Sequence, residues 1–225
     1  MTQKKYEFTG EVKIEFGVKL HRIRALVAIA TIGVAVGDLG GWIEKEKNLN
    51  HSGNAWVSGN AWVFGNAQVS GNAQVSGNAW VSDDAWVFGN AWVFGNAQVS
   101  GNAWVYGNAR VSDDAQVYGD ARVYGNAQVY GDARVYGDAW VFGNAQVFGD
   151  ARHITISPIG SEGGCLTAFV QADGTILFNR GCFSGTDAEF LEAVEQKHGD
   201  GPCAIEYRAA VELIKLRLSR VKQVK

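Results

Sequence analysis

The side chains able to do chemistry are few and scattered. Histidine occurs at His21, His51, His153 and His198, and none lies between residues 52 and 152. That long stretch therefore offers neither a general base nor a histidine cluster for zinc. Cys165, Cys182 and Cys203 match no zinc or redox spacing, and their odd count fits no disulfide framework; a reduced, cytosolic compartment is implied. Asp83-Asp84 and Asp113-Asp114 are the acidic pairs that bear on calcium. Gly181-Cys182-Phe183-Ser184-Gly185-Thr186 leads into a helix start, where backbone N–H groups attract anions. Gly181, Ser184, Gly185 and Thr186 are thus a candidate anion site, although no second polar cluster accompanies them and a structural turn is the stronger reading. No cofactor and no metal site is expected.

The elements that would position any site come from one phrase. G-[N/D]-A-x-V-x runs from Gly53 to Phe148 in sixteen copies without insertion, and a broken seventeenth follows as Gly149-Asp150-Ala151-Arg152-His153. Ala and Val stand two apart, so in an extended strand both point to one face while the residue between them and the one after point to the other. Gly-Asn or Gly-Asp supplies a corner, since these residues tolerate positive φ. The expectation is that Asn54, Asn60, Asn66 and their successors take the left-handed conformation. Strand and corner in alternation make a coil, and stacked coils make a parallel β-helix with a narrow Ala/Val core.

Val57-Ser58-Gly59-Asn60-Ala61, aliphatic then small four residues on, resembles the hexapeptide-repeat left-handed β-helix family. The resemblance implies a left-handed triangular prism with three hexads, or 18 residues, per coil, and often a trimer about the axis. The Asn-Ala-x-Val-x-Gly phrasing is more closely similar to uncharacterised phage and prophage β-helix proteins. In those, segments like Arg22-Ile23-Arg24-Ala25-Leu26 and Gly37-Asp38-Leu39-Gly40-Gly41-Trp42-Ile43-Glu44 precede the repeats, and a tail like Gly181 to Thr186 with Glu189-Phe190 follows. The commonest enzyme on the hexapeptide fold is an acyltransferase, which by family analogy needs a histidine on or beside the coils and usually a loop breaking the repeat. Neither is present, so the uniform repeat argues for a non-catalytic structural or binding module. The resemblance also implies a phage virion or a bacterial cytoplasm as the location.

With 18 residues per coil the outward positions sort into three faces. The first carries Trp56, Trp92 and Arg110, and the second Trp62, Trp80 and Phe64. The third carries Trp86, Phe88, Trp104, Tyr106, Arg122, Tyr124, Trp140 and Phe142, seven aromatics in ten positions. Phe88, Tyr106, Tyr124 and Phe142 should stack, with Arg122 between Trp104 and Trp140 in cation–π contact. Such an apolar strip marks a contact surface, for self-association or for a glycan or other flat ligand. Asp83 and Asp113 stand thirty residues apart, on different corners, and so cannot stack into one calcium site.

The flanks read as covers. Residues 1–52 form an N-terminal β cap with alternating strands, and the Gly37–Gly41 cluster turns into the first coil. Residues 153–225 form a small α+β unit that closes the far end. Ile154 to Ile156 continues as a strand until Pro158. Asp173-Gly174 marks a hairpin. Thr186-Asp187-Ala188-Glu189 opens a helix to about His198, and Pro202 opens a second with Tyr207, Val211, Ile214 and Leu218 on one stripe. A net charge of -3 and pI near 5.8 give no prior for nucleic acid or membrane. The basic end, Lys215, Arg217, Arg220, Lys222 and Lys225, lacks the aromatic interleaving of a nucleic-acid surface. The apolar run Ala25–Val36 has 12 residues, too few to span a bilayer, and Glu7, Glu11 and Glu15 spoil a signal-peptide n-region.

Overall fold

The computed structural model describes residues 3–148, 153–171 and 174–219. The chain is mainly β, a parallel β-solenoid of about six turns followed by two helices. Each hexad contributes one short rung centred on x-Val, such as Trp92–Val93, and each rung pairs in parallel with the rungs before and after it in the same column. Trp92 thus stands beside Gln74 and Arg110, and the Trp92 N–H donates to the Ala109 carbonyl at 2.9 Å. Three sheets result, with hexads assigned to them in strict rotation. Every Ala and Val of the described repeat is buried, at 0–1 % exposure, so the alternation places Ala and Val inward as read.

The corners correct one expectation. Glycine, not asparagine, takes the positive φ: Gly59 stands at 65° and Gly107 at 72°. Among the described residues only Phe16, Asp83 and Asp113 share that sign without being glycine. The reason is steric as well as torsional. A Cβ on Gly77 would lie 2.8 Å from the Gly95 carbonyl oxygen one coil on, so a side chain at this corner crowds the next coil. The asparagine one residue later instead points its amide outward. Asn54, Asn72, Asn90, Asn108, Asn126 and Asn144 form one ladder, each amide donating to the next carbonyl oxygen at 3.0–3.1 Å. Asp83 and Asp113 replace the glycine and put a carboxylate oxygen on the N–H of Gly101 and Gly131, at 3.0 and 3.1 Å. They act as staples between coils on different corners.

The solenoid begins before the perfect hexads. The expected turn at Gly37–Gly41 is confined to its start; Leu39–Ile43 is already a strand, with Trp42 beside Trp62 and Ile43 beside Val63. Gly41 stands where the alanine would be, because a Cβ there would lie 2.7 Å from the Ala61 carbonyl oxygen. Leu49 bridges Val69 as a second degenerate rung. Over this end lies the hairpin of β1 (Tyr6–Glu15) and β2 (Val18–Ala25), which joins the sheet antiparallel. The Lys5 ammonium is carried inward to the Ala55 carbonyl at 2.6 Å, and burial lowers its pKa to about 8.

At the other end, strands His153–Ile159, Gly164–Val170, Ile176–Arg180 and Phe183–Thr186 form an antiparallel sheet. The first strand does not stop at Pro158 but runs through it, with a register irregularity between Ile156 and Ile159 absorbing the missing donor. The hairpin flanking Gly174 forms as read, Val170 pairing Ile176, while Asp173 lies outside the described residues. Helix α1 (Asp187–His198) opens with the Thr186/Glu189 capping box, and α2 (Pro202–Ser219) buries Tyr207, Val211, Ile214 and Leu218. Phe169 inserts into the solenoid core, so this unit does cover the last coil. The seventeenth hexad as far as Arg152, and Arg220, Lys222 and Lys225, lie outside the described residues.

Val99→Asp buries an unpaired charge in a layer 1 % exposed or less and should cost more than about 4 kcal/mol; an unchanged melting temperature contradicts the inward valine. Gly77→Ala should destabilise by more than Asn78→Ala, which removes one ladder amide at about 1 kcal/mol; chemical denaturation ranks the two. Lys5 has its folded-state pKa depressed, so the unfolded chain holds more protons above pH 8 and stability should rise with pH from there toward the ordinary lysine range. Urea midpoints of the parent and of Lys5→Gln check this, the slope belonging to the parent alone.

Candidate functional site: the aromatic face

The five-rung sheet carries the third face. Here parallel register places identical positions one coil apart, the spacing at which aromatic rings stack. Phe88 lies 4.8 Å from Tyr106, Tyr106 4.9 Å from Tyr124, and Tyr124 5.2 Å from Phe142, with interplanar angles of 1°, 4° and 12°. In the neighbouring column Trp86 stacks on Trp104 at 5.6 Å. The Arg122 guanidinium sits 5.0 Å from the Trp104 ring and 5.1 Å from the Trp140 ring. The two columns touch edge to face, as in Phe88 against Trp104. Burial within this stack raises the pKa of Tyr106 and Tyr124.

The geometry decides what the strip can present. Ring faces are spent on one another, so the outward surface consists of ring edges with one sandwiched cation. A flat sugar would need an open ring face. The other faces are covered in part by the chain itself, with Trp92 at 43 % and Tyr136 at 46 % exposure left open. Trp56 is buried at 3 % exposure. Phe16, at the hairpin tip, packs on Trp62 and Trp80, and the Lys13 ammonium lies 4.1 Å from the Trp62 ring. Tyr136 meets the His153 ring at 4.5 Å. On the third face Phe142 is the residue so covered, at 5 % exposure, while Trp86 stays open at 41 %.

The remaining candidates are structural in geometry. Thr186 is the N-cap of α1, and the Glu189 carboxylate accepts the Thr186 N–H at 2.7 Å and its hydroxyl at 2.9 Å. The chain's own acid therefore stands at the helix start beside Gly185, and no contact joins it to Gly181 or Ser184 among the described residues. The histidines stay apart: His21 stacks on Phe8 and His51 on Tyr6, His153 meets Tyr136 edge to face, and His198 lies near Tyr207. Burial lowers the His153 pKa. The three cysteines are free thiols. Among the described residues no helix is long and apolar enough to cross a membrane, and no three metal-ligating side chains converge. A cleft of about 380 Å³ in the C-terminal unit, between Phe183, Phe190 and Arg180, was not foreseen from sequence. Its Arg180 already donates to the Tyr207 hydroxyl and the Ile159 carbonyl. The glycines that make room for this pair, Gly160 and Gly164, were the available signal.

Comparison with known families places the repeat and leaves the rest open. A family described as YdcK Beta solenoid repeat matches residues 67–83, 73–89, 97–113, 115–127 and 127–143. The matched segments all lie within the hexads, and with the geometry above they make this a repeat β-solenoid protein. No curated protein matches the chain.

Arg122→Met should cost about 0.5–2 kcal/mol, the range of a cation held between rings. Thermal unfolding beside Arg134→Met, an exposed arginine on another face, provides the comparison; equal losses contradict the sandwich.

Proposed function

We propose that this chain is a non-catalytic scaffold module that self-associates through its third face, of the kind carried by phages and prophages. The observation that carries the reading is the double aromatic ladder, whose four-ring column from Phe88 to Phe142 is the longest run of stacked rings among the described residues. Contiguous apolar strips of this kind serve as contact surfaces. In the same reading the solenoid is a left-handed hexapeptide helix of triangular section, and it works in a bacterial cytoplasm or a virion. A flat face packed on its own copy closes with two subunits, so a two-fold pair is favoured over the trimer that the resemblance implies. No observation favours the acyltransferase, and ring faces used in stacking speak against the glycan module.

Sedimentation tests the proposal. Trp104→Ser with Tyr106→Ser should dissociate the assembly, while Trp62→Ser with Phe64→Ser should leave it intact. A monomeric parent, or equal behaviour of both variants, overturns it; glycan binding lost from the first variant alone would put the glycan reading in its place.

A further inference from the structure

The two edges of the third face differ in charge. The corner that opens each rung of that face carries Asp84, Asn102 and Asp120, all exposed. The corner that closes it carries Asn90, Asn108 and Asn126, also exposed and part of the unbroken amide ladder. Each ladder asparagine spends one amide hydrogen on its neighbour and keeps one. The glycine before it offers more. Where a corner glycine N–H has a partner among the described residues, the partner is a carboxylate: Glu44 on Gly65 at 2.7 Å, Asp83 on Gly101 and Asp113 on Gly131. The N–H groups of Gly89, Gly107 and Gly125 make no hydrogen bond among the described residues. One edge therefore carries carboxylates at Asp84 and Asp120, with Asn102 between them, and the other is a column of donors that this fold elsewhere fills with carboxylates.

We infer that the third face pairs with a second copy of the chain in parallel, about a two-fold axis running along the solenoid. The inference rests on the self-association proposed above and adds its orientation. Such an axis exchanges the two edges without changing height. Asp84 and Asn90 bound one rung, and Asp120 and Asn126 bound another, so each aspartate meets the partner's donor edge at its own level. The strip is its own complement, which an isologous contact requires and an unrelated partner does not supply. An axis across the solenoid would instead lay acidic edge on acidic edge, a repulsion that disfavours the antiparallel pair. In the parallel pair each tryptophan column meets the partner's Phe/Tyr column, edge to edge. Contact is confined to the upper rungs, since Ser184 already approaches the corner at Gly143.

Asp84→Asn with Asp120→Asn tests the orientation. The amide oxygen still accepts from Asn66 and Asn102, so the fold is kept. A symmetric pair loses four charged edge contacts, and association should weaken about tenfold. In a background with Cys165, Cys182 and Cys203 changed to serine, N102C with N108C should form a disulfide-linked dimer, and either change alone should not. If the parent associates but the aspartate variant associates more tightly, or a single cysteine variant cross-links, the parallel orientation is wrong while self-association stands. If the parent is a monomer at every concentration, both readings fail.

Discussion

The structure depends on the contact between corner backbones. At most corners the α-carbon of a glycine lies over the backbone of the corner residue one coil on, so near that a side chain between them would crowd it. This fixes the height of a coil and forces the chain to meet itself in register. A side chain at that point would pry two coils apart, and every contact stacked above and below would lose its partner. Where aspartate stands in for glycine, its carboxylate returns a hydrogen bond to the coil it crowds.

With the core reduced to identical layers of alanine and valine, individuality is confined to the outward positions and the two ends. A core of one pattern cannot hold a unique pocket. What it can do is repeat a surface chemistry at constant spacing. Aromatic rings gain most from that spacing, because stacking needs only register, and the arginine between two tryptophans gains a site that no single coil could build. The two ends differ in how they meet the solenoid: the N-terminal hairpin extends one sheet through β2 and Leu39–Ile43, and the C-terminal unit inserts Phe169 into the core.

The solenoid was legible because one period governs it: Ala and Val two apart decide the inside, and residues one coil apart decide the ladders. The partition of the corner between glycine and asparagine was not, since both tolerate positive φ and only the approach of the neighbouring coil separates them. Nor could the covering of the second face be read, because nothing local in Lys13 or Phe16 shows that the hairpin tip folds onto Trp62. The rungs at Trp42 and Leu49 escaped for a related reason: they stand 20 residues, not 18, before the residues they pair with. The helix cap at Thr186 was plain because it is local chemistry. The third face was legible as a ladder. That its rings expose edges rather than faces needed the structure.

One measurement separates the core from the face most directly. Deleting residues 89–94 removes one hexad; the Ala/Val layers persist, but every later residue moves to a different face and the ladder is cut below Trp86 and Phe88, where Arg110 and Ser112 arrive. Deleting residues 107–124 removes a whole coil and restores alignment, with Trp140 beneath Trp104. Sedimentation equilibrium of the two folded variants should give a monomer for the first and the parent's assembly for the second. The same assembly state in both would contradict the account.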